Sequence, residues 1–382
     1  MAVRVDVAPA LFEWALERSG RPEEDIRGRF PSLESWEEGS ARPTLKQLED
    51  FADATYTPVG FFFLPNPPEE KLPVPDFRSG VGATSSRPSA NLLQTIYDCQ
   101  QRQDWYTEFA RSRGDDSLTF VGSLSTSVDT VSAAETIRGV LGFSIPARRQ
   151  VANWTEALRM LVQEVEDVGA LVMINGVVGS NTHRKLNPEE FRGFALVDDL
   201  APLIFINGAD TKAAQIFTLA HEIAHVWLGQ SAISNPILNR SQQGRTERWC
   251  NEVAAELLVP MVILKSEFRR ANDLTAELQR LATMFRVSTL VVLRRIYDAA
   301  LMDQDTFRDA YDTELGRILK TQSESKGGNY YATQPGRVSR RFAKAVITDT
   351  REGRTLYREA FRLLSLKKQA TFETLGQTLG VG

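Results

Sequence analysis

The segment from Phe217 to Gly229, with His221-Glu222-Ile223-Ala224-His225 at its centre, constrains this chain more than any other. Its apolar residues recur at helical spacing, with Asp210 as a candidate cap at the start and Gly229 as a stop. On such a helix His221 and His225 lie one turn apart on one face, so both imidazoles can reach a single ion. Glu222 adjoins the first of them, where its carboxylate can take a proton from an attacking water. The plain alternative is two ordinary histidines on an amphipathic helix. It is weakened because the chain holds three histidines and two of them fall here.

A catalytic zinc takes three protein ligands and keeps one position open. The next helical stretch, Glu247 to Pro260, places Glu247, Asn251, Ala254 and Leu258 along one face. Glu247 is then the candidate third ligand, with Glu252 and Glu256 as rivals whose ordinary role is a solvated helix face. Asn251, one turn on, can hold a ligand histidine by hydrogen bonding. His183 is the remaining histidine and a candidate oxyanion stabiliser, although a single loop histidine is more often a polar surface residue.

Around this centre the fold class expected is α+β and predominantly helical, with a small mixed or antiparallel sheet on the metal-binding helix, a zincin-like arrangement. Strands are expected at Leu171–Ile174, Ala195–Val197 and Leu203–Ile206, the last two as a near-hairpin and the last as an edge for an extended peptide. Helical periodicity runs over about 91–111, 130–141 and 153–166. Four domains or linkers follow: a helical unit at 1–64, a proline-rich linker at 65–90, a metallopeptidase domain at 91–270 with its core at 169–262, and a helical region at 271–382. The linker carries Pro65, Pro67, Pro68, Pro73 and Pro75, which favour extended chain and suit a strap across another domain.

Together these blocks resemble the ImmA/IrrE family of zinc metallopeptidases. The resemblance rests on Phe191-Arg192-Gly193-Phe194, Phe205-Ile206-Asn207-Gly208, the His221 helix and Asn251-Glu252-Val253-Ala254-Ala255-Glu256-Leu257-Leu258, in that order over about 80 residues. It implies a zinc endopeptidase with Glu247 as third ligand. Its partner would be a protein substrate, a repressor or other regulator of stress or mobile-element genes. Trp249 departs from the family, whose members often carry an acidic residue there. Residues 7–60 are similar to the Xre-type helix-turn-helix that precedes the peptidase in longer members.

Charge bears on whether the chain reads DNA. The whole chain has a net charge of −4, which gives no overall attraction to nucleic acid or anionic membranes. Residues 1–60 hold seven Lys/Arg against twelve Asp/Glu, and the stretch from Phe30 to Trp36 is too short for a full reading helix. Protein contact or autoinhibition suits that unit better. A second helix-turn-helix pattern covers 274–298, with Arg294 and Arg295 as candidate nucleic-acid contacts. Residues 320–368 hold twelve Lys/Arg against four Asp/Glu, so DNA is a candidate partner of the C-terminal helical region. The rival reading is therefore a DNA-binding regulator or antitoxin-like protein whose zinc site is not catalytic. Two cysteines without motif spacing and the lack of a long apolar run point to a cytoplasmic protein with no membrane contact.

Overall fold

Aromatic side chains at helical spacing organise the N-terminal residues. Phe12, Phe30 and Trp36 close on Phe51, with Phe12 and Phe30 at centroid separations of 5.5 and 5.4 Å from it. They come from α1 (Ala10–Ser19), the residue after α2 (Glu23–Arg29), α3 (Leu33–Glu37) and α4 (Leu45–Ala54). Thr44 starts α4 through a reciprocal capping box with Gln47. α3 has only five residues, less than two turns, and so offers little length for groove reading. Arg18 pairs with Glu70 at 2.6 Å, which ties the proline-rich segment to α1.

The computed structural model describes residues 3–76, 88–234, 244–270, 273–322 and 336–381. The chain forms two units, one of 1–73 with 83–97 and the other of 74–82 with 98–382. A long helix, α5 (Ala90–Arg113), begins in the first and continues in the second.

In the second unit Asp129 and Asn153 cap α6 (Thr130–Leu141) and α8 (Trp154–Asp167), and α7 (Ile145–Gln150) lies between them. Four short strands make one mixed sheet in the order β1-β3-β2-β4. They are β1 (Leu171–Asn175), β2 (Gly193–Leu196), β3 (Leu203–Asn207) and β4 (Ala232–Ser234). β1 runs parallel to β3, whereas β2 is antiparallel to both β3 and β4. The β2–β3 pairing, with Ala195 opposite Ile204, is the expected hairpin. The expectation that Leu203–Ile206 is an edge is corrected: β3 is internal, hydrogen-bonded on both sides, and β4 is the edge next to β2.

The helices α9 (Lys212–Leu228), α10 (Arg245–Leu258), α11 (Met261–Glu267), α12 (Leu274–Phe285) and α13 (Thr289–Asp298) follow. One apolar core runs through Ile137, Leu161, Ile204, Ile223, Val253, Leu281 and Ile296. The same core continues across the boundary expected at 270/271, because α12 and α13 contribute to it. Between these two helices Arg286 lies in the left-handed region (φ 54°) and Ser288 caps α13. After α14 (Gln304–Gln322) come helices Arg340–Arg351, Tyr357–Leu363 and Gln369–Thr378. Arg102 of α5 donates to Leu363 O and Ser365 Oγ, and Ser339 bonds Glu166, which anchors this C-terminal part. Among the described residues no helix is long and apolar enough to cross a membrane.

Candidate metal centre

The central helix is set by its caps and by what lies against it. Thr211, and not Asp210, caps α9: its Oγ1 accepts from Ala214 N, while Asp210 Oδ1 accepts from Thr211 N. Gly229 ends the helix at φ 69°, where Gln230 N reaches back to His225 O. A Cβ at Gly229 would also come within 3.0 Å of Gly122 Cα. α9 packs between β2 and β3 on one side and α10 on the other. On the sheet side the close approach falls at Gly193, where a Cβ would meet Thr218 Cγ2 at 2.7 Å and Glu222 Oε1 at 3.1 Å.

The α9–α10 packing brings His221, His225 and Glu247 together, all buried. His221 Nε2 and His225 Nε2 are 3.1 Å apart, and Glu247 places Oε2 at 3.3 Å from the first and Oε1 at 3.0 Å from the second. Ligand atoms about 2.05 Å from a tetrahedral ion are separated by about 3.3 Å, so this donor triangle fits such an ion. Two imidazole nitrogens facing one another across that gap, beside a carboxylate, also suit a shared cation better than an apolar core. Asn251 Oδ1 lies 3.0 Å from His221 Nδ1, on the far side of the ring from the donor triangle. Ser234 Oγ of β4 lies 3.5 Å from His225 Nε2.

The electrostatics separate the two glutamates. Burial alone would raise the Glu247 carboxyl, but His221 and His225 beside it hold it down at about 2. Glu222 moves the opposite way: burial first, then the nearby Glu247 charge, push it well above the ordinary carboxylate range, with Ser234 opposing. By distance and angle, neither Glu222 oxygen has a full hydrogen bond among the described residues. Burial lowers His225, which favours its neutral, metal-binding form.

The other candidates lie elsewhere. Glu256 does not join the cluster; it pairs with Arg295 and accepts from Met261 N. His183 is exposed in the loop after β1, with its main-chain N–H on Asn181 Oδ1, and its ring joins none of the hydrogen bonds of the centre. Arg294 and Arg295, expected as nucleic-acid contacts, are each engaged within the fold. Arg295 is 5% exposed and spends its guanidinium on Glu256 and Val259 O. Arg294 pairs with Asp298 and lies over Tyr297 and Phe307. β4 and Ser234 carry no local sequence signal, and the close approach at Gly193 cannot be read from the Phe191–Phe194 block alone.

A buried His-His-Glu cluster with a glutamate beside it is a donor set that a metallopeptidase could use. Residues 165–297 match the family model of the IrrE N-terminal-like domain, which supports a metallopeptidase of the ImmA/IrrE type for the region from β1 to α13. Residues 338–378 match a domain of unknown function (DUF8813). No curated protein is similar enough to the chain to count as a match.

Proposed function

We propose that this protein is a zinc-dependent endopeptidase with a zincin-like active site, cleaving a protein partner such as a repressor or other regulator in the cytoplasm. The observation that carries the reading is the donor triangle of 3.0–3.3 Å with Glu222 one residue from His221. A zinc ion held there supplies a Lewis acid for the scissile carbonyl and for water. The chain's own residues supply the rest. Asn251 orients His221 through Nδ1, leaving Nε2 for the ion. Glu222, buried one residue from the ligand His221, is placed to take a proton from the attacking water and pass it to the leaving amine. A structural zinc site needs no such base. The oxyanion-stabilising role of His183 remains a proposal without a contact to support it.

The test is a library of proteome-derived peptides incubated with zinc-loaded protein, with new N-termini read by mass spectrometry. Wild type generates a defined set of cleavages. Glu222→Gln keeps its zinc and loses activity by about 10²–10⁴-fold. Equal cleavage by both proteins would refute Glu222 as the base. The rival reading, a DNA-binding regulator with an idle zinc site, draws on the net basic charge of residues 320–368. It would be favoured if Glu222→Gln left the biological output intact.

A further inference from the structure

β4 is the edge strand beside the metal centre, and its outer side is already in use. Ile233 N–H donates to Pro75 O at 3.0 Å, and Asp76 pairs with Ile233 in parallel register. Along β4 the main-chain groups alternate in direction. Ser234 O accepts from Arg192 N at the start of β2, so Ile233 is the residue whose main chain faces outward. The next side chain, Ser234, reaches within 3.5 Å of His225 Nε2. An extended chain laid along Ile233 therefore passes within about one residue spacing, ~3.3 Å, of the strand position that touches the centre.

We propose that Val74–Asp76 is an intramolecular occupant of the outer edge of β4, which an extended substrate segment must displace. The proposal rests on the peptidase reading and names its substrate class: a main chain in extended form, recognised by strand addition. The composition of the strap suits an occupant that holds the edge without extending the sheet. Pro75 has no N–H to donate to the preceding outward-facing carbonyl, that of Ser231, so the ladder stops there. Val74 is half-buried and Pro75 and Asp76 are exposed, so little apolar surface secures the segment. His221, Glu222 and His225 are each 0% exposed. In this state a substrate carbonyl reaches them only after part of the surrounding chain moves.

The test uses the full chain and needs neither zinc nor hydrolysis, so its failure is distinct from failure of the peptidase reading. Replacing Pro73→Gly, Val74→Ser, Pro75→Gly and Asp76→Ser removes the preset extended backbone and weakens occupancy in cis. A dansyl-labelled peptide carrying residues 72–76 is titrated by fluorescence anisotropy, and exchange of the Ile233 amide is followed with and without it. The substituted protein should bind the peptide about tenfold more tightly than wild type if the segment binds with a Kd of about 0.1 mM, because a competitor at roughly millimolar effective concentration weakens binding by that ratio. Its Ile233 amide should exchange faster and be protected again by the peptide. Equal affinity for both proteins, no binding to the substituted protein, or unchanged Ile233 exchange would each overturn the proposal. If the fourfold variant does not fold, Pro75→Gly alone should move both readings in the same direction by a smaller amount.

Discussion

Gly193→Ala probes the junction on which the site depends. Gly193 sits in β2 directly over α9, and an added methyl would lie 2.7 Å from Thr218 Cγ2, 3.0 Å from Phe205 O and 3.1 Å from Glu222 Oε1. Carbon atoms in contact prefer roughly 3.5–4.0 Å, so strand and helix must separate by close to 1 Å or the methyl must displace Glu222. Overpacking of this kind costs about 1–3 kcal/mol. Because Gly193 does not have a positive φ, alanine also removes unfolded-state freedom, which returns about 0.4–1 kcal/mol. The net expectation is a loss of about 1–2 kcal/mol, read as a lower urea midpoint at unchanged slope. Gly139→Ala is the matched control: the same chemical change, in the interior of α6, with nothing within 4 Å of the added methyl. It should gain about 0.5–1 kcal/mol. If both variants moved stability in the same direction, the close approach of β2 to α9 would be wrong.

Three further outcomes follow from the same geometry. Arg295→Met leaves Glu256 as a buried, unpaired charge and should cost about 3–5 kcal/mol, much of it recovered in the double variant with Glu256→Gln; a neutral single variant in urea unfolding would contradict the burial of this pair. Asn251→Ala should weaken zinc affinity by about 10–100-fold without abolishing binding, measured by competition with a chelator, and unchanged affinity would remove its orienting role. The hydrogen bond from Arg280 holds Glu277 below the ordinary carboxylate range despite burial. A depressed folded-state pKa contributes stability that is present above the unfolded value, about 4.3, and is lost as pH falls through the folded one. Glu277→Gln should therefore flatten the acid side of the stability profile, and an unchanged profile would refute the coupling.

The parts of this molecule set by local sequence could be read from the chain. The α9 motif shows itself because two of three histidines fall at a helical interval between apolar neighbours. The face argument on α10 ranked Glu247 ahead of its rivals, and the structure brings that carboxylate to both imidazoles. What escaped depends on partners distant in sequence. β4 is three residues long and its pattern is too short to signal a strand; pairing with β2 makes it one. The placement of β3 inside the sheet follows from β1 joining its far side, which no local pattern announces. Arg294 and Arg295 look like exposed basic residues on a recognition helix until Asp298 and Glu256 are seen beside them. The helix–turn–helix spacing at 274–298 reflects three-helix packing as readily as DNA reading, and here those helices fill the core.

The central claim is that His221, His225 and Glu247 hold one zinc ion. Elemental analysis of zinc-reconstituted wild type beside His221→Ala and Glu247→Ala tests it most directly. Wild type should carry about one zinc per chain, and both variants should lose it. Full zinc in Glu247→Ala, or none in the reconstituted wild type, would contradict it.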